Sequence, residues 1–167
     1  GQMAGPQPQQ VGDPAQLAVD LENALYAAKI CAYAQGFDLL KSASDARQWH
    51  LQLGRIALLW RGGCIIRAQF LEKINEAYEK NPDLENLMLD PFFASQLEKA
   101  QEGWRRIIAQ AAQNGVSIPC LSSALAYYDA YRTRVLPANL LQAQRDYFGA
   151  HTYQRVDKEG IFHTQWI

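Results

Sequence analysis

From Asp13 onward the chain carries an apolar pattern that only a long helix, contacted on several sides, can accommodate. Asp13-Pro14 is a start signal, because an Asp side chain accepts an orphan N–H at the N-cap and Pro fits the first helical position. Leu17, Leu21, Leu25, Ala28, Ala32 and Leu39 recur at spacings of three, four or seven. Val19, Tyr26, Ile30, Tyr33 and Phe37 widen that face until little polar surface remains. This breadth predicts a central helix of about 25 to 30 residues. Gly36 within it costs about 1 kcal/mol relative to Ala, which predicts close backbone packing at that point. Ala24, Ala27, Ala28, Ala32 and Ala34 are small enough to let neighbours approach.

The remainder also reads as helices. A short turn is expected to start at Ser44 or Asp45, followed by a helix over Leu53 to Trp60. Arg61-Gly62-Gly63 breaks it, and helical spacing resumes from Ile66 to Tyr78 through Phe70, Leu71 and Ile74. Asn81-Pro82 stops that segment, since Pro cannot continue the hydrogen-bond ladder and biases its predecessor away from helix. A brief helix is predicted over Asp83 to Leu89. Asp90-Pro91 repeats the start signal and launches a long helix ending at Asn114-Gly115. Ser122 or Ser123 is predicted to cap a helix through Leu125, Tyr128 and Tyr131. Leu136-Pro137 precedes a last short helix from Asn139 to Tyr147, before Gly149. Alternation of β-branched and polar residues is nowhere sustained, so the predicted class is all-α. Residues 1–12, rich in Gly, Pro and Gln, are expected to be a loop or extended leader. The tail from His151 ends in Phe162, Trp166 and Ile167 after a polar hinge at Gly160, and such a tail packs back on its own domain or docks on a partner.

With 167 residues and 49 % hydrophobic side chains, the chain suits one domain with a substantial core. Sixteen Lys and Arg against 17 Asp and Glu, scattered along the chain, argue against a nucleic-acid binder. Arg61 and Arg67 interrupt the longest apolar stretch, well short of the roughly 20 residues a membrane span needs. The three cysteines, Cys31, Cys64 and Cys120, are odd in number and far apart, which predicts reduced thiols in a cytoplasmic protein and no metal site. Neither a Gly-x-Gly-x-x-Gly turn after a strand, nor a P-loop, nor a Gly-x-Ser-x-Gly elbow occurs, so no dinucleotide fold is expected in the chain itself. The acidic pairs Asp83/Glu85 and Glu76/Glu79 read as solvated helix surface.

One stretch concentrates chemistry: Gln142-Ala-Gln-Arg145-Asp-Tyr-Phe-Gly149-Ala-His151-Thr-Tyr153. Arg145 offers a planar, permanently charged fork suited to phosphate or carboxylate. His151, just past a glycine, is expected to leave the helix and project near its C-terminal end. On composition alone the plainer reading is favoured: Arg145 paired with Asp146 or another acid, and His151 an ordinary surface residue.

Longer blocks change that balance. Ala24-Leu-Tyr-Ala-Ala-Lys29, Tyr33-Ala-Gln-Gly-Phe37, Trp60-Arg-Gly-Gly-Cys-Ile-Ile-Arg67, Ala126-Tyr-Tyr-Asp129 and the 18 residues from Leu136 to Tyr153 follow one another in order, and Phe162-His-Thr-Gln-Trp166 completes them. In these blocks, from about Gly5 to the end, the chain resembles the C-terminal domain of decarboxylating 6-phosphogluconate dehydrogenase.

The resemblance implies a parent enzyme that oxidises 6-phosphogluconate at C3 with NADP, decarboxylates the 3-keto intermediate and releases ribulose 5-phosphate, without a metal. A lysine base and a glutamate acid serve the proton transfers. It implies a Rossmann-type cofactor domain followed by a helical domain that builds a homodimer, its tail threading into the partner subunit. The cofactor domain and the catalytic lysine and glutamate of the family lie upstream of the matching blocks; Lys29 and Glu22 do not replace them. Residues 13–150 are then the dimerisation and substrate domain and 151–167 the tail docking on the partner. No catalytic, cofactor-binding or metal residue is expected in this chain, which is expected to be inactive alone and to bind no NADP. By resemblance, Arg145 matches the arginine that binds the substrate phosphate and His151 the histidine beside it, both donated to the partner's pocket. The rival reading is a non-catalytic helical dimerisation or interaction module. Another 3-hydroxyacid dehydrogenase is disfavoured, because the Arg145 to Tyr153 block suits a phosphorylated sugar acid.

Overall fold

A computed structural model describes residues 3–7, 9, 12–62 and 70–166. Among these residues it is all-α: α1 (Pro14–Arg47), α2 (Leu53–Leu59), α3 (Phe70–Lys80), a 3-10 turn (Leu87–Leu89), α4 (Pro91–Gln113), α5 (Pro119–Tyr131) and α6 (Ala138–Gly149). The sequence block from Gly63 to Arg67, the expected start of a helix at Ile66, Cys64 and Ile167 lie outside the described residues. Two compact units divide at Tyr128/Asp129.

Both Asp-Pro signals act as predicted. Asp13 accepts the Ala15 N–H at 3.0 Å, and Asp90 accepts those of Phe92 and Phe93 at 3.0 and 3.5 Å. The helix after Asp13 is longer than expected, 34 residues. No turn begins at Ser44 or Asp45. Ser44 stays helical and buried, its hydroxyl accepts the Leu51 N–H at 3.0 Å, and the helix ends only at Gln48, which is left-handed at φ 57°.

In the first unit α1 packs along α4. The buried side of α1 is the one with small residues: Ala24, Ala27, Ile30, Cys31, Ala34 and Phe37. Leu21, Leu25 and Leu39, which head the apolar spacing, are exposed. Close approach occurs at Gly103 of α4, where a Cβ would stand 2.9 Å from the Asp20 carboxylate and 3.2 Å from its Cα. It does not occur at Gly36, where a Cβ would meet nothing within 4 Å. Asp20, 3 % exposed, receives both Nε and Nη2 of Arg106 at 2.7 Å and Gln16 at 2.9 Å. Those Arg106 bonds hold its carboxyl below the usual range despite burial.

Around this pair the core closes with Leu71 and Ile74 of α3, Leu97 and Trp104 of α4, and edge-on aromatic contacts such as Tyr33–Phe70 at 4.8 Å. The helix expected over Asp83 to Leu89 shrinks to one 3-10 turn. Buried Asn86 explains this: its side chain takes the Met88 N–H at 2.9 Å and donates to the Tyr127 hydroxyl at 2.9 Å, and such local bonds compete with helix. α4 ends in a Schellman motif, with Val116 N–H bonded to Ala111 O, Gly115 N–H to Ala112 O, and Gly115 left-handed at φ 67°. α5 begins at Pro119 rather than at Ser122 or Ser123, since the Ser122 N–H already bonds to Ile118 O. Cys31 is a buried filler against Met88, its thiol pushed up to about 12 by desolvation.

Candidate functional site

The second unit contains α6 and the tail, and it inverts the usual burial pattern. Its only fully buried α6 side chain is a carboxylate, Asp146. Leu140, Leu141, Tyr147 and Phe148 are all exposed, Leu140 and Phe148 by more than three quarters. At 100° per residue these four share one face of α6, and Asp146 lies nearly opposite.

Asp146 holds the tail against the helix. One oxygen accepts the Thr152 N–H at 2.9 Å and is 2.9 Å from His163 Nδ1. The other accepts the Thr164 N–H and the Trp166 indole N–H, both at 3.0 Å. Burial acts to raise the carboxyl pKa. The donors from Thr164, His163, Trp166 and Thr152 outweigh it and hold the group down to about 2. A single antiparallel bridge, Tyr153 to Phe162, closes the tail hairpin, and the Tyr153 and Thr164 hydroxyls meet at 2.7 Å. The tail therefore packs back on its own α6.

This clamp shapes the turn that carries His151. α6 ends with Ala150 left-handed at φ 48°, its N–H bonded to Asp146 O at 2.9 Å. Thr152 is left-handed too, at φ 60°. For a β-branched residue that conformation costs about 1–2 kcal/mol and persists only where the surroundings enforce it. Here they do, since Asp146 takes the Thr152 N–H and Gln142 Nε2 donates to the Thr152 carbonyl. His151 stands between these two left-handed residues with its ring over Gly149, where a Cβ would come within 2.7 Å of Nε2.

Arg145 is exposed and bonds to Gln142 Oε1 at 3.2 Å. Among the described residues it has no carboxylate partner. The pairing with Asp146 that composition favours is not formed, because the tail donors occupy that carboxylate. Arg145 instead lies one turn from Leu141 and from Phe148, on the exposed apolar side of the helix.

Arg145 and His151 thus belong to one unit, linked through Gln142 and the Thr152 peptide. Asp146 was not legible as their support: its donors lie 6 to 20 positions downstream, and in sequence it reads as an ion partner of its neighbour. A separate cleft of about 610 Å³ in the first unit is lined by Lys41, His50, Arg55, Tyr78 and Glu79 among others, and neither Arg145 nor His151 borders it. Among the described residues no three His, Cys, Asp or Glu side chains converge as a metal site.

The chain is similar to known proteins in sequence and in fold. The chain is 54 % identical to the decarboxylating 6-phosphogluconate dehydrogenase of Escherichia coli (strain K12) over 165 residues, covering 99 % of this chain and 35 % of that protein. It is 54 % identical to the enzyme of the same description from Staphylococcus aureus (strain N315) over 166 residues, covering 99 % of this chain and 36 % of that protein. The chain thus spans little more than a third of these relatives' length. Among solved structures, Plasmodium falciparum 6-phosphogluconate dehydrogenase superposes with a TM-score of 0.89 at 45 % identity, over 99 % of this chain and 35 % of that one. The Plasmodium enzyme is described in its apo form, in complex with its cofactor NADP+ and in complex with its substrate 6-phosphogluconate. Residues 2–166 match the family described as 6-phosphogluconate dehydrogenase, C-terminal domain, and the chain belongs to it.

Proposed function

We propose that this chain serves NADP-dependent oxidative decarboxylation of 6-phosphogluconate as the helical C-terminal part of a cytoplasmic, homodimeric enzyme. In this reading Arg145 and His151 bind the substrate phosphate in the partner subunit's pocket. One observation carries it: an arginine without a carboxylate partner among the described residues emerges beside Leu141 and Phe148, on a face that needs covering. A protein surface that buries those apolar side chains also desolvates the guanidinium, which is costly unless an anion meets it. A phosphate answers that need. The planar fork of Arg145 binds two phosphate oxygens at once, and His151 adds a ring N–H donor from the turn that ends the same helix.

Nothing among the described residues forms the strand, glycine turn and helix that hold a dinucleotide pyrophosphate. This reading assigns no residue of the chain to NADP or to a bond-making step. What the chain contributes is binding and orientation. Residues 1–12 are then a loop or extended leader and 13–150 the dimerisation and substrate domain, while the tail, 151–167, docks together with α6 on the partner subunit. No helix among the described residues is long and apolar enough to cross a membrane.

The test is substitution at Arg145 in a full-length enzyme carrying this sequence. Arg145→Ala is expected to raise KM for 6-phosphogluconate about 10- to 100-fold, as loss of charged hydrogen bonds worth roughly 1.5–3 kcal/mol implies. Dimer content should not change. Arg145→Lys should recover only part, because an ammonium does not make the paired contact. An unchanged KM would favour the rival reading, an interaction module in which the arginine binds no substrate.

A further inference from the structure

Two site residues on segments free to move against each other would bind a small anion weakly, because each would have to be ordered at the moment of binding. The network beneath them removes that cost. It runs from Arg145 Nη1 to Gln142 Oε1 at 3.2 Å, from Gln142 Nε2 to the Thr152 carbonyl, and from the Thr152 N–H to Asp146 at 2.9 Å. The peptide immediately after His151 is thus held at both its N–H and its C=O, in a backbone region that threonine does not adopt unaided. Asp146 is in turn fixed by three donors from the returning tail, His163, Thr164 and Trp166.

We propose that Asp146 is a positioning residue for substrate: through the Thr152 N–H it locks the left-handed turn on which His151 stands, setting His151 at a fixed place relative to Arg145. This rests on the reading that Arg145 and His151 bind the substrate phosphate. Asp146 itself is fully buried, with both carboxylate oxygens taken up by donors of its own unit, so it acts through the turn. Its carboxylate is specifically required, since four donors converge on two oxygens and an amide would turn an NH2 toward two of them.

The experiment is a double-mutant cycle in a full-length dimeric enzyme carrying this sequence, with kcat and KM for 6-phosphogluconate as readouts. Asp146→Asn is expected to raise KM about tenfold or more while changing kcat less, because a misplaced binding group loses affinity steeply with distance. On a His151→Ala background the same substitution should change KM within about twofold, since residues acting through one another are non-additive. An equal penalty on both backgrounds would show that Asp146 is merely structural and overturn the proposal; so would an unchanged KM in the single variant. If Asp146→Asn does not fold, Thr152→Pro carries the same cycle: it removes the N–H that Asp146 accepts and cannot take a positive φ, while the Gln142 contact to Arg145 and the donors from His163, Thr164 and Trp166 stay in place. An undiminished effect of Thr152→Pro on the His151→Ala background overturns the proposal equally. Failure of the underlying phosphate reading shows up separately, as an Arg145→Ala variant with unchanged KM.

Discussion

Asp146 and Arg145 are neighbours in sequence with opposite charges, yet they serve different surroundings. The carboxylate is consumed by the tail, and the guanidinium is left facing outward beside apolar side chains. The carboxyl's depressed pKa has a consequence for acid stability. A group held at about 2 in the folded unit, against an ordinary value of 3.8, contributes stability that is fully present above pH 3.8. That contribution is lost as pH falls from 3.8 through about 2. The Trp166 indole N–H resonance in a nitrogen-15 correlation spectrum reports it directly. Its position is expected to hold down to about pH 4, move only as Asp146 protonates below that, and be displaced already at neutral pH in Asp146→Asn. A midpoint near an ordinary carboxylate, or above it, would contradict the four-donor geometry.

At the scale of elements, the two helix glycines Gly36 and Gly103 have opposite meanings. Gly36 lies in the exposed interior of α1 with open space beyond its Cα, so Gly36→Ala is expected to stabilise the chain by up to about 1 kcal/mol through helix propensity alone. Gly103→Ala gains the same propensity but drives a methyl into Asp20, whose carboxylate cannot yield while Arg106 and Gln16 hold it. Overpacking of about 1–3 kcal/mol then exceeds the gain, and net destabilisation follows. Thermal unfolding of both variants checks the signs; a stabilised Gly103→Ala would mean that α1 and α4 separate easily. The same contrast shows what was readable in advance. Both Asp-Pro starts and the Asn-Gly stop were legible because caps depend on residues one to three apart. The small-residue face of α1 was legible as close packing, but its location was not. Which glycine sits at the contact depends on α4, some 80 positions away in the chain, and no local pattern encodes that.

At the scale of the molecule, the described residues form two compact units, and the second exposes an apolar helix face made by Leu140, Leu141, Tyr147 and Phe148. Together with the exposed Leu21, Leu25 and Leu39 of α1, this is more apolar surface than an isolated chain keeps in water at no cost. On the proposed function the chain self-associates. Sedimentation equilibrium is expected to show a dimer that Leu141→Ser with Phe148→Ser converts to monomer, helix content by circular dichroism being unchanged. A monomer at every concentration for the unsubstituted chain would count against this.

The all-α class, the helix termini set by Asp13, Asp90, Pro82 and Gly115, and, through long ordered blocks, the family are all readable along the chain. These follow from local hydrogen-bond chemistry, helical periodicity and direct residue identity, all of which survive reading along one dimension. Which side of α1 is buried, that Asp146 belongs to the tail and not to Arg145, and that His151 stands on a turn held from both sides emerge only in the folded chain. Those outcomes depend on donors and methyl groups brought together from distant positions, and the energy of a buried carboxylate or a crowded glycine exists only once they meet.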